Sequence, residues 1–427
     1  MLRPILLLVA ASLTVSAQVA SSPAGQWVSH RKYADNNFYQ RMQLELNGGK
    51  LTGKFGGQDL DGTFAGGRIE ATVKLTPSAT LKLTGTLAND RIEGTAKIDQ
   101  GDQQFVWTAV RIAPKRAPKT HTFEPVQFEH FFSDAIKPVL NVFPGDTIRT
   151  WTVDAGGFDA KNQRRTSGGN PLTGPFYVEG AMPGDTLVVH FNRVRLNRDT
   201  AISSPLIVNS ALSPGYVERR KEVKDYSADW KLDRQGGFAS LLKPTNRLKD
   251  YRIPLAPMMG CVGVAPGGGN QFRSGYLGGF GGNMDYNRLR EGITVYLPVS
   301  TPGALLFVGD GHAAQGAGEL TGNALETSMD VEFTVDLIEG KAAGSPRMED
   351  DEFLMASGMS QSLDDAFRDA TTNLVRWLEN TYGLNAAEVS SVVSSAVIYD
   401  IAEYVDPEDH VVARIPKSVL AGLTKVK

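Results

Sequence analysis

The chain has 427 residues, of which 41% are hydrophobic. Because one domain uses about 100–200 residues, this length predicts two or three domains with cores of ordinary size. The formal net charge of -3 argues against nucleic acid or an anionic membrane surface as a partner. The 45 glycines and 22 prolines are scattered between apolar runs, which favours turns in a β-rich fold.

The first residues have the pattern of an export signal. Arg3 precedes an apolar stretch over residues 5–15, and Val15-Ser16-Ala17 offers small residues for cleavage. We therefore expect residues 1–17 to be a signal peptide, and the exported protein to contain no further membrane-spanning segment. Cys261 is the only cysteine, so no internal disulfide is expected, and a buried, inert thiol is the preferred interpretation.

Residues 18–112 form the first predicted domain. Apolar and polar residues alternate in short runs such as Ile69-Glu70-Ala71-Thr72-Val73-Lys74-Leu75, and turn signals such as Asn47-Gly48-Gly49 separate the runs. This pattern predicts a small antiparallel β-barrel or sandwich. The sequence of this segment holds no cluster of histidine, cysteine or acidic residues, so no chemistry is assigned to it.

A proline-interrupted linker over residues 113–119 precedes the main domain, residues 120–427, which is also expected to be mainly β. Two segments of this domain echo each other: Phe143-Pro144-Gly145-Asp146 recurs as Met182-Pro183-Gly184-Asp185. Each places a Pro-Gly turn before an apolar strand. The preferred interpretation is that both aspartates accept hydrogen bonds from the amides of the turn.

The C-terminal part changes from strand to helix periodicity. Ser362 is a typical N-cap for a helix over residues 363–382, and Asn385 begins a second predicted helix over residues 386–405. We expect a helical hairpin over about residues 362–405. Such a hairpin is more often a packing element than a catalytic one.

The segment richest in chemistry runs from Gly309 to Glu319. It follows an apolar strand and places Asp310, His312, Gln315 and Glu319 on a glycine-laced loop. Small residues allow a backbone to approach a ligand closely. Histidine and carboxylates are the common ligands of zinc. This segment therefore predicts a functional site, with His312 as its centre.

Three further segments carry candidate acids. Asp285 follows a glycine run and Asn283, where it could bind a metal or take a proton, and Asp154 and Glu179 lie at the ends of predicted strands in apolar surroundings. Burial would raise the pKa of such a carboxyl unless a cation pairs with it, and a metal ion would serve. A solvated acid at a strand end is an equally good interpretation of Asp154 and Glu179.

Taken together, five segments resemble the acetamidase/formamidase family over about residues 125–422. They are residues 170–185, 257–266, 281–285 and 309–319 and the tail motif Ile415-Pro416-Lys417-Ser418. The resemblance implies a β-rich fold, hydrolysis of small aliphatic amides to carboxylate and ammonia, and homo-oligomers. It also implies a metal in at least some members, here a divalent ion such as zinc or calcium.

On this basis the sequence assigns roles to particular residues. The expected metal ligands are Asp154, Asp285, His312 and Glu319. The expected catalytic groups are Glu179 and Asp310 for proton transfer, and Gln315 and Asn283 for orienting the amide or stabilising the oxyanion. The expected substrate-binding residues are Phe280, Met284 and Gly311.

The sequence departs from the family at two positions. Phe280 stands where the family often has histidine, and Ala317 where it often has aspartate. An open space at Phe280 would admit a bulkier, apolar amide. The alternative to an enzyme is an exported, non-catalytic protein that binds a small ligand in a retained amidase pocket.

Overall fold

The structure is a computed structural model that describes residues 22–426 except 102, 222, 224 and 225. The signal peptide expected over residues 1–17 lies outside the described residues. The chain divides into two compact units, of which the first ends at Ile112 and the second begins at Ala113. Within the described residues, every helix is too short or too polar to cross a membrane.

The first unit is a closed antiparallel barrel, in which its described residues form eight strands. The strands are β1 (Gly25–Tyr33), β2 (Asn36–Asn47), β3 (Lys50–Phe55), β4 (Gln58–Ala65), β5 (Arg68–Thr76), β6 (Ala79–Ala88), β7 (Arg91–Ile98) and β8 (Gln104–Arg111). The alternation along each strand turns one row of side chains inward, and large residues such as Trp27, Phe55 and Trp107 fill the interior. The predicted small antiparallel barrel is confirmed.

The second unit is built from strands with a few helices. Its strands are β9 (Thr120–Thr122), β10 (Phe131–Ser133), β11 (Leu140–Val142), β12 (Thr147–Thr152), β13 (Leu172–Val178), β14 (Thr186–Leu196), β15 (Thr200–Ile202), β16 (Asp229–Asp233), β17 (Phe238–Leu241), β18 (Arg252–Pro254), β19 (Met258–Val264), β20 (Gln271–Arg273), β21 (Leu277–Gly278), β22 (Gly281–Asn283), β23 (Thr294–Pro298), β24 (Leu306–His312), β25 (Glu326–Thr327), β26 (Met329–Ile338), β27 (Arg347–Glu349), β28 (Phe353–Ser360), β29 (Ile398–Glu403) and β30 (Asp409–Pro416). Its helices are α1 (Pro214–Val217), α2 (Leu363–Tyr382), α3 (Ala386–Ala396) and α4 (Lys417–Leu420), with a 3₁₀ turn at Asn209–Ala211.

Two large sheets share the core of this unit. One has the order β18-β17-β16-β15-β25-β24-β19-β22-β21, with β13 also paired to β24 and to β11, and the other has the order β29-β30-β28-β27-β23-β14-β26-β12-β9. Buried side chains from both sheets, such as Val262 and Phe307 from the first and Val189 and Phe333 from the second, form one hydrophobic core. The mainly β fold expected for residues 120–427 is confirmed.

The two Pro-Gly turns have the predicted structure. Asp146 accepts a hydrogen bond from the amide of Phe143 at 2.9 Å, and Asp185 accepts one from the amide of Met182 at 3.0 Å. Arg116, from the predicted linker, also donates to Asp146 at 2.8 Å. The interpretation of both aspartates as turn-stabilising residues is confirmed.

The C-terminal helices pack against β28 and β30 through a separate apolar cluster. Ser362 caps α2 as predicted, by accepting from the amide of Asp365 at 3.2 Å. The second helix is shorter than predicted, because α3 ends at Ala396 and strand β29 follows it. Residues 398–403 pair with β30, and this pairing outweighs the weak helical pattern of the segment. The correction has a functional consequence, because it places Glu403 at a strand end.

Candidate functional site

Strand β24 is the base of the site. It pairs with β13, β19 and β25, and alternation along it turns Asp310 and His312 to one face. On β25, Glu326 lies directly opposite His312. On β19, a Cβ atom at Gly260 would lie 2.7 Å from Asp310 Oδ2. Only a residue without a side chain leaves room for the acid there.

Three buried side chains converge at the end of β24, and we call them the His312 trio: Asp310, His312 and Glu326. His312 Nε2 lies 3.2 Å from Glu326 Oε2 and 3.4 Å from Asp310 Oδ1. Each of these three atoms is buried and makes no hydrogen bond in the described part of the chain. Buried polar atoms are normally satisfied, so the trio has the donor atoms of a ligand-binding site.

The spacing of the trio suits a metal ion. Ligands about 2.0–2.1 Å from a tetrahedral zinc ion lie about 3.3 Å from one another, and the two measured separations are 3.2 and 3.4 Å. His312 Nδ1 lies 2.9 Å from Gln315 Oε1, so the ring is held from its far side. Such a bond to the second nitrogen is typical of metal-binding histidines. The residues present therefore fit a divalent cation.

A second group of acids lies beside the trio. Asp285, Glu403 and Asp406 can bring one carboxylate oxygen each within 4.8 Å of the others. Asn283 connects two of them, because its Nδ2 donates to Asp285 Oδ2 and, at 2.6 Å, to Asp406 Oδ2. Asp285 Oδ1 lies 3.8 Å from His312 Nδ1, so Asp285 lies between the two groups.

Burial sets the electrostatics of the cluster. Burial and the Asp310 carboxylate raise the pKa of Glu326 to about 7, against the opposing effect of His312. Burial and the neighbouring Glu403 likewise raise the pKa of Asp406 to about 7. Without a cation, the cluster therefore retains protons that isolated carboxyls would release, and a bound cation would replace them.

The neighbouring carboxylates favour the protonated form of His312. Burial lowers the pKa of His312, but the carboxylates of Glu326 and Asp310 more than compensate, so that the pKa lies well above its usual value. The site therefore attracts positive charge, either as a proton on the ring or as a metal ion between the ring and the acids.

A cavity of about 480 Å³ opens onto these residues. Asp310, Glu319, Glu326 and Asp406 line it with Asn283. Its acidic wall and its volume suit a small polar ligand that approaches the acids from solvent.

The backbone of the site is strained. Asp285, Asp310, Glu319 and Asn170 are non-glycine residues with positive φ, at 40°, 57°, 43° and 54°. Such residues are uncommon and concentrate at functional sites. Asn170 donates from Nδ2 to Asp310 Oδ2 at 3.0 Å and to Asn283 Oδ1 at 3.1 Å, which orients both side chains.

The structure brings together most of the residues that the sequence assigned to the site. They are Asn283, Asp285, Asp310, His312, Gln315 and Glu319. Three of the expected metal ligands, Asp285, His312 and Glu319, can place donor atoms within 4.8 Å of one another. Asp310, to which the sequence assigned proton transfer, lies 3.4 Å from His312 Nε2, and this position suits a metal ligand.

Two assigned residues take no part in this cluster. Asp154 is buried but forms an ion pair with Arg198 at 2.6 Å, so a guanidinium supplies the cation for which a metal was expected. Glu179 follows β13, which runs antiparallel to β24 with Leu172 opposite Gly309. Seven residues of strand separate Glu179 from that end, a distance of about 23 Å, and Glu179 instead accepts a hydrogen bond from Asn141.

The three expected substrate-binding residues face the interior. Phe280 is buried and packs on the rings of Phe132 and Phe272, so no open space exists at its side chain. Met284 is fully buried. Gly311 faces Met329, on the side of β24 opposite the trio. Aromatic packing holds Phe280 away from the cavity, and the two-residue period of β24 turns Gly311 away from it.

Sequence reasoning missed Glu326, Glu403 and Asp406. Each belongs to a segment without a glycine run. Glu326 reaches His312 through the pairing of β25 with β24, Glu403 is bridged to Gly318, and Asp406 is bonded to Asn283. For Glu403 and Asp406, a correct strand assignment over residues 398–403 would have given the missing signal.

Cys261 lies beside the site without the features of a nucleophile. Its Sγ is 2.8 Å from Asn283 Oδ1, and the thiol is buried. Burial, with the nearby Asp310 and Asp285, raises the pKa of the thiol well above its usual value. The interpretation as an inert buried thiol is supported, because the thiolate is the nucleophilic form.

Comparison with known proteins supports the sequence resemblance. Residues 279–421 match the family model described as the Acetamidase/Formamidase family. Comparison with curated proteins gave no match.

Solved structures similar to this chain have the same description. An acetamidase from Yersinia enterocolitica is 27% identical, with a TM-score of 0.61, over 71% of this chain and 94% of that one. A predicted acetamidase/formamidase from Thermoanaerobacter tengcongensis is 26% identical, with a TM-score of 0.61, over 71% of this chain and 98% of that one. An acetamidase from Bacillus halodurans is 25% identical, with a TM-score of 0.60, over 71% of this chain and 99% of that one.

Proposed function

We propose that this chain, a member of the acetamidase/formamidase family with an additional N-terminal β-barrel, hydrolyses small linear amides to carboxylate and ammonia with the help of a divalent metal ion. The family and the structural neighbours support amide hydrolysis in general. The choice of small linear amides, such as acetamide and formamide, and the metal requirement are our proposal.

The observation that carries the proposal is the convergence of three buried atoms without a hydrogen bond in the His312 trio, two of whose residues, Asp310 and Glu326, line an open cavity. We infer that Asp310, His312 and Glu326 hold the ion. A divalent ion there would polarise the amide carbonyl and ease deprotonation of water. Amide nitrogen is a poor leaving group unless it is protonated, so the reaction also needs a group that moves a proton.

The chain's own residues supply the remaining tasks. Glu319 lies at the cavity wall outside the trio, and we assign it proton transfer to the leaving nitrogen. Asn170 and Asn283 keep the acids in position through their amide groups. Gln315 holds the ring of His312. Glu179, which the sequence suggested for proton transfer, has no part in this scheme because it lies at the far end of β13 from Asp310 and His312.

The test is ammonia release from a panel of amides by the purified protein, after chelator treatment and after re-addition of single metals. We expect release that the chelator removes and one metal restores. Glu326→Gln should abolish it, and Glu179→Gln is the matched control that should retain it. If folded, metal-loaded protein releases no ammonia from any amide but its melting temperature shifts with an amide ligand, a binding protein replaces the enzyme.

We also propose that the protein is exported and forms a homo-oligomer. The pattern of residues 1–17 supports export, and the family resemblance supports assembly. Cell fractionation with N-terminal sequencing tests the first: a cytoplasmic protein that retains Met1 would contradict it. Light scattering on the purified protein tests the second, and a monomer at working concentration would contradict it.

A further inference from the structure

Two arginines lie on aromatic rings at opposite ends of the N-terminal barrel, and their hydrogen bonding differs. Arg111, at the end of β8, lies 4.2 Å from the ring centre of Trp27. It donates to the carbonyls of Ser22 and Ala24 at 2.6 and 2.5 Å, and to Asp90 at 2.6 Å. This end of the barrel is therefore closed by an arginine whose charge is paired.

Arg31, at the opposite end, has no acid partner in the described part of the chain. Its guanidinium carbon lies 5.8, 5.3 and 5.6 Å from the ring centres of Phe38, Phe55 and Phe105, and its Nη2 donates to Gln40 at 2.6 Å. Its Nε is buried and makes no hydrogen bond to any described residue. The residue is 9% exposed, and burial lowers the pKa of its guanidinium. Buried charged side chains are normally paired, so Arg31 is a cation for which the barrel supplies no anion.

The surface around Arg31 is apolar and exposed. The turns that join β1 to β2, β3 to β4, β5 to β6 and β7 to β8 all lie at this end, because consecutive strands are antiparallel. Tyr33 and Phe38 are 41% and 43% exposed, and their ring centres lie 5.5 and 6.0 Å from that of Phe105. Exposed apolar groups that lie together are typical of interaction sites. Two exposed rings therefore lie beside a buried, unpaired cation.

We propose that this end of the barrel binds an aromatic carboxylate, whose charge pairs with Arg31 and whose ring packs on Tyr33 and Phe38. The planar guanidinium presents N–H groups in a fork that matches a carboxylate, and aromatic rings attract one another in offset or edge-to-face contact. The next cation in the chain, Lys32, lies on the outer face of β1, because successive side chains of a strand alternate. A single available charge matches a monoanion better than a phosphate dianion.

The interior of the barrel limits where the ligand lies. An eight-stranded barrel either fills with side chains or holds one small ligand. Here large side chains such as Trp27, Phe55 and Trp107 fill the interior. The carboxylate therefore reaches Arg31 from the end of the barrel, with the ligand ring on the exposed rim. The site belongs to the first unit and does not depend on the acids around His312.

The experiment is a calorimetric titration of the full-length protein with 2-naphthoate and with 2-naphthalenemethanol, which has the same ring and no charge. We expect 2-naphthoate to bind about 10–100-fold more tightly than the alcohol, the usual effect of a hydrogen bond to a charged group. Arg31→Met should weaken 2-naphthoate binding by the same factor, and Phe38→Ala by about 2–10-fold. Lys32→Met, the matched control on the outer face, should retain the wild-type affinity. These changes are confined to the first unit, so a 2-naphthoate molecule bound in the second unit would not respond to them.

The melting temperature separates a binding role of Arg31 from a structural one. Removal of a buried charge that has no acid partner should not destabilise the barrel, so Arg31→Met should melt at or above the wild-type temperature. A lower melting temperature with unchanged 2-naphthoate affinity would show that Arg31 serves the fold alone, and would overturn the proposal. So would wild-type protein that binds no 2-naphthoate, or that binds the alcohol as tightly. If Arg31→Met does not fold, the two ligands compared on the wild type and on Phe38→Ala still decide the question.

Discussion

His312 Nδ1 lies 2.9 Å from the side-chain oxygen of Gln315. Because Gln315 Nε2 donates to the carbonyls of Asp285 and Ala402, its Oε1 accepts here, and Nδ1 carries the ring proton. The lone pair of Nε2 therefore faces Asp310 and Glu326. One side chain thus selects which nitrogen of His312 is available to a metal.

Removal of this contact should weaken metal binding. We expect Gln315→Leu to lower zinc affinity by about 10–100-fold, the usual effect of losing a partner of a metal-binding histidine. A competition titration of stripped protein with a chelating dye measures it. Gln271→Leu, on the exposed strand β20, is the control. Equal affinities in Gln315→Leu and the wild type would show that Gln315 does not orient the ring.

Gly260 should not tolerate a side chain. A Cβ atom there would lie 2.7 Å from Asp310 Oδ2 and would also collide with Asp285 Oδ1, so Gly260→Ala must displace the acids of the site. Displacement of reacting groups by about 1 Å can cost about 100-fold in rate. We expect ammonia release to fall by that order while the barrel of the first unit stays folded.

Gly279→Ala is the matched control for this change. A Cβ at Gly279 meets no atom within 4 Å, so activity should stay at the wild-type level. Steady-state rates of ammonia release measure the activity of both variants, and a far-ultraviolet circular dichroism spectrum of each shows whether it is folded. Full activity in Gly260→Ala would mean that Asp285 and Asp310 do not need their observed positions.

Asp154 and Arg198 should behave as a structural pair. Their side chains are 2% and 5% exposed and lie 2.6 Å apart, and loss of one member of a buried pair typically costs about 3–5 kcal/mol. We expect Arg198→Met to lower the free energy of unfolding by that order. Asp154→Asn should leave zinc content unchanged. Loss of zinc in Asp154→Asn, with the fold intact, would restore Asp154 as a metal ligand.

The sequence predicted the elements better than their contacts. Period-two alternation revealed the barrel strands, and Ser362 marked the start of α2. A one-dimensional pattern carries no information on which strands become neighbours, and the pair Asp154–Arg198 joins residues 44 positions apart. A metal was therefore expected at Asp154 because a buried acid needs a cation, and the sequence does not show that Arg198 supplies it.

The same limit applies to the residues of the site. Asp310, His312, Gln315 and Glu319 were found because one short glycine-rich segment carries all of them, although the first two belong to β24 and not to the expected loop. Glu326 reaches His312 only because β25 pairs with β24. The side that each residue faces was also hidden, since the orientation of Gly311 toward Met329 depends on which face of β24 packs on the core.

His410 should make the stability of the second unit sensitive to mild acid. Its Nδ1 donates to the carbonyl of Met284 at 2.6 Å, and its Nε2 accepts from Ser357 Oγ at 3.0 Å. Protonation of Nε2 would break the second bond in a fully buried position. Burial lowers the pKa of His410 to about 4, against a smaller opposing effect of the Met284 carbonyl.

The sign follows from proton binding. The unfolded chain protonates this histidine near pH 6.5, the ordinary value, so between about pH 6.5 and about pH 4 the unfolded state binds more protons than the folded state. The stabilisation is complete above pH 6.5 and is lost as the pH falls through this window, by on the order of 2–3 kcal/mol.

We expect His410→Asn to lose this component. Asparagine retains an N–H donor for Met284 but has no basic nitrogen, so the variant should be less stable at pH 7 and should lose less stability than the wild type on going to pH 4.5. Calorimetric scans of both proteins at the two pH values measure the difference. His190→Asn, at an exposed histidine bonded to Thr294, should retain the wild-type dependence. If His410→Asn retains it as well, acid destabilisation arises from other groups, and the buried ring does not sense pH.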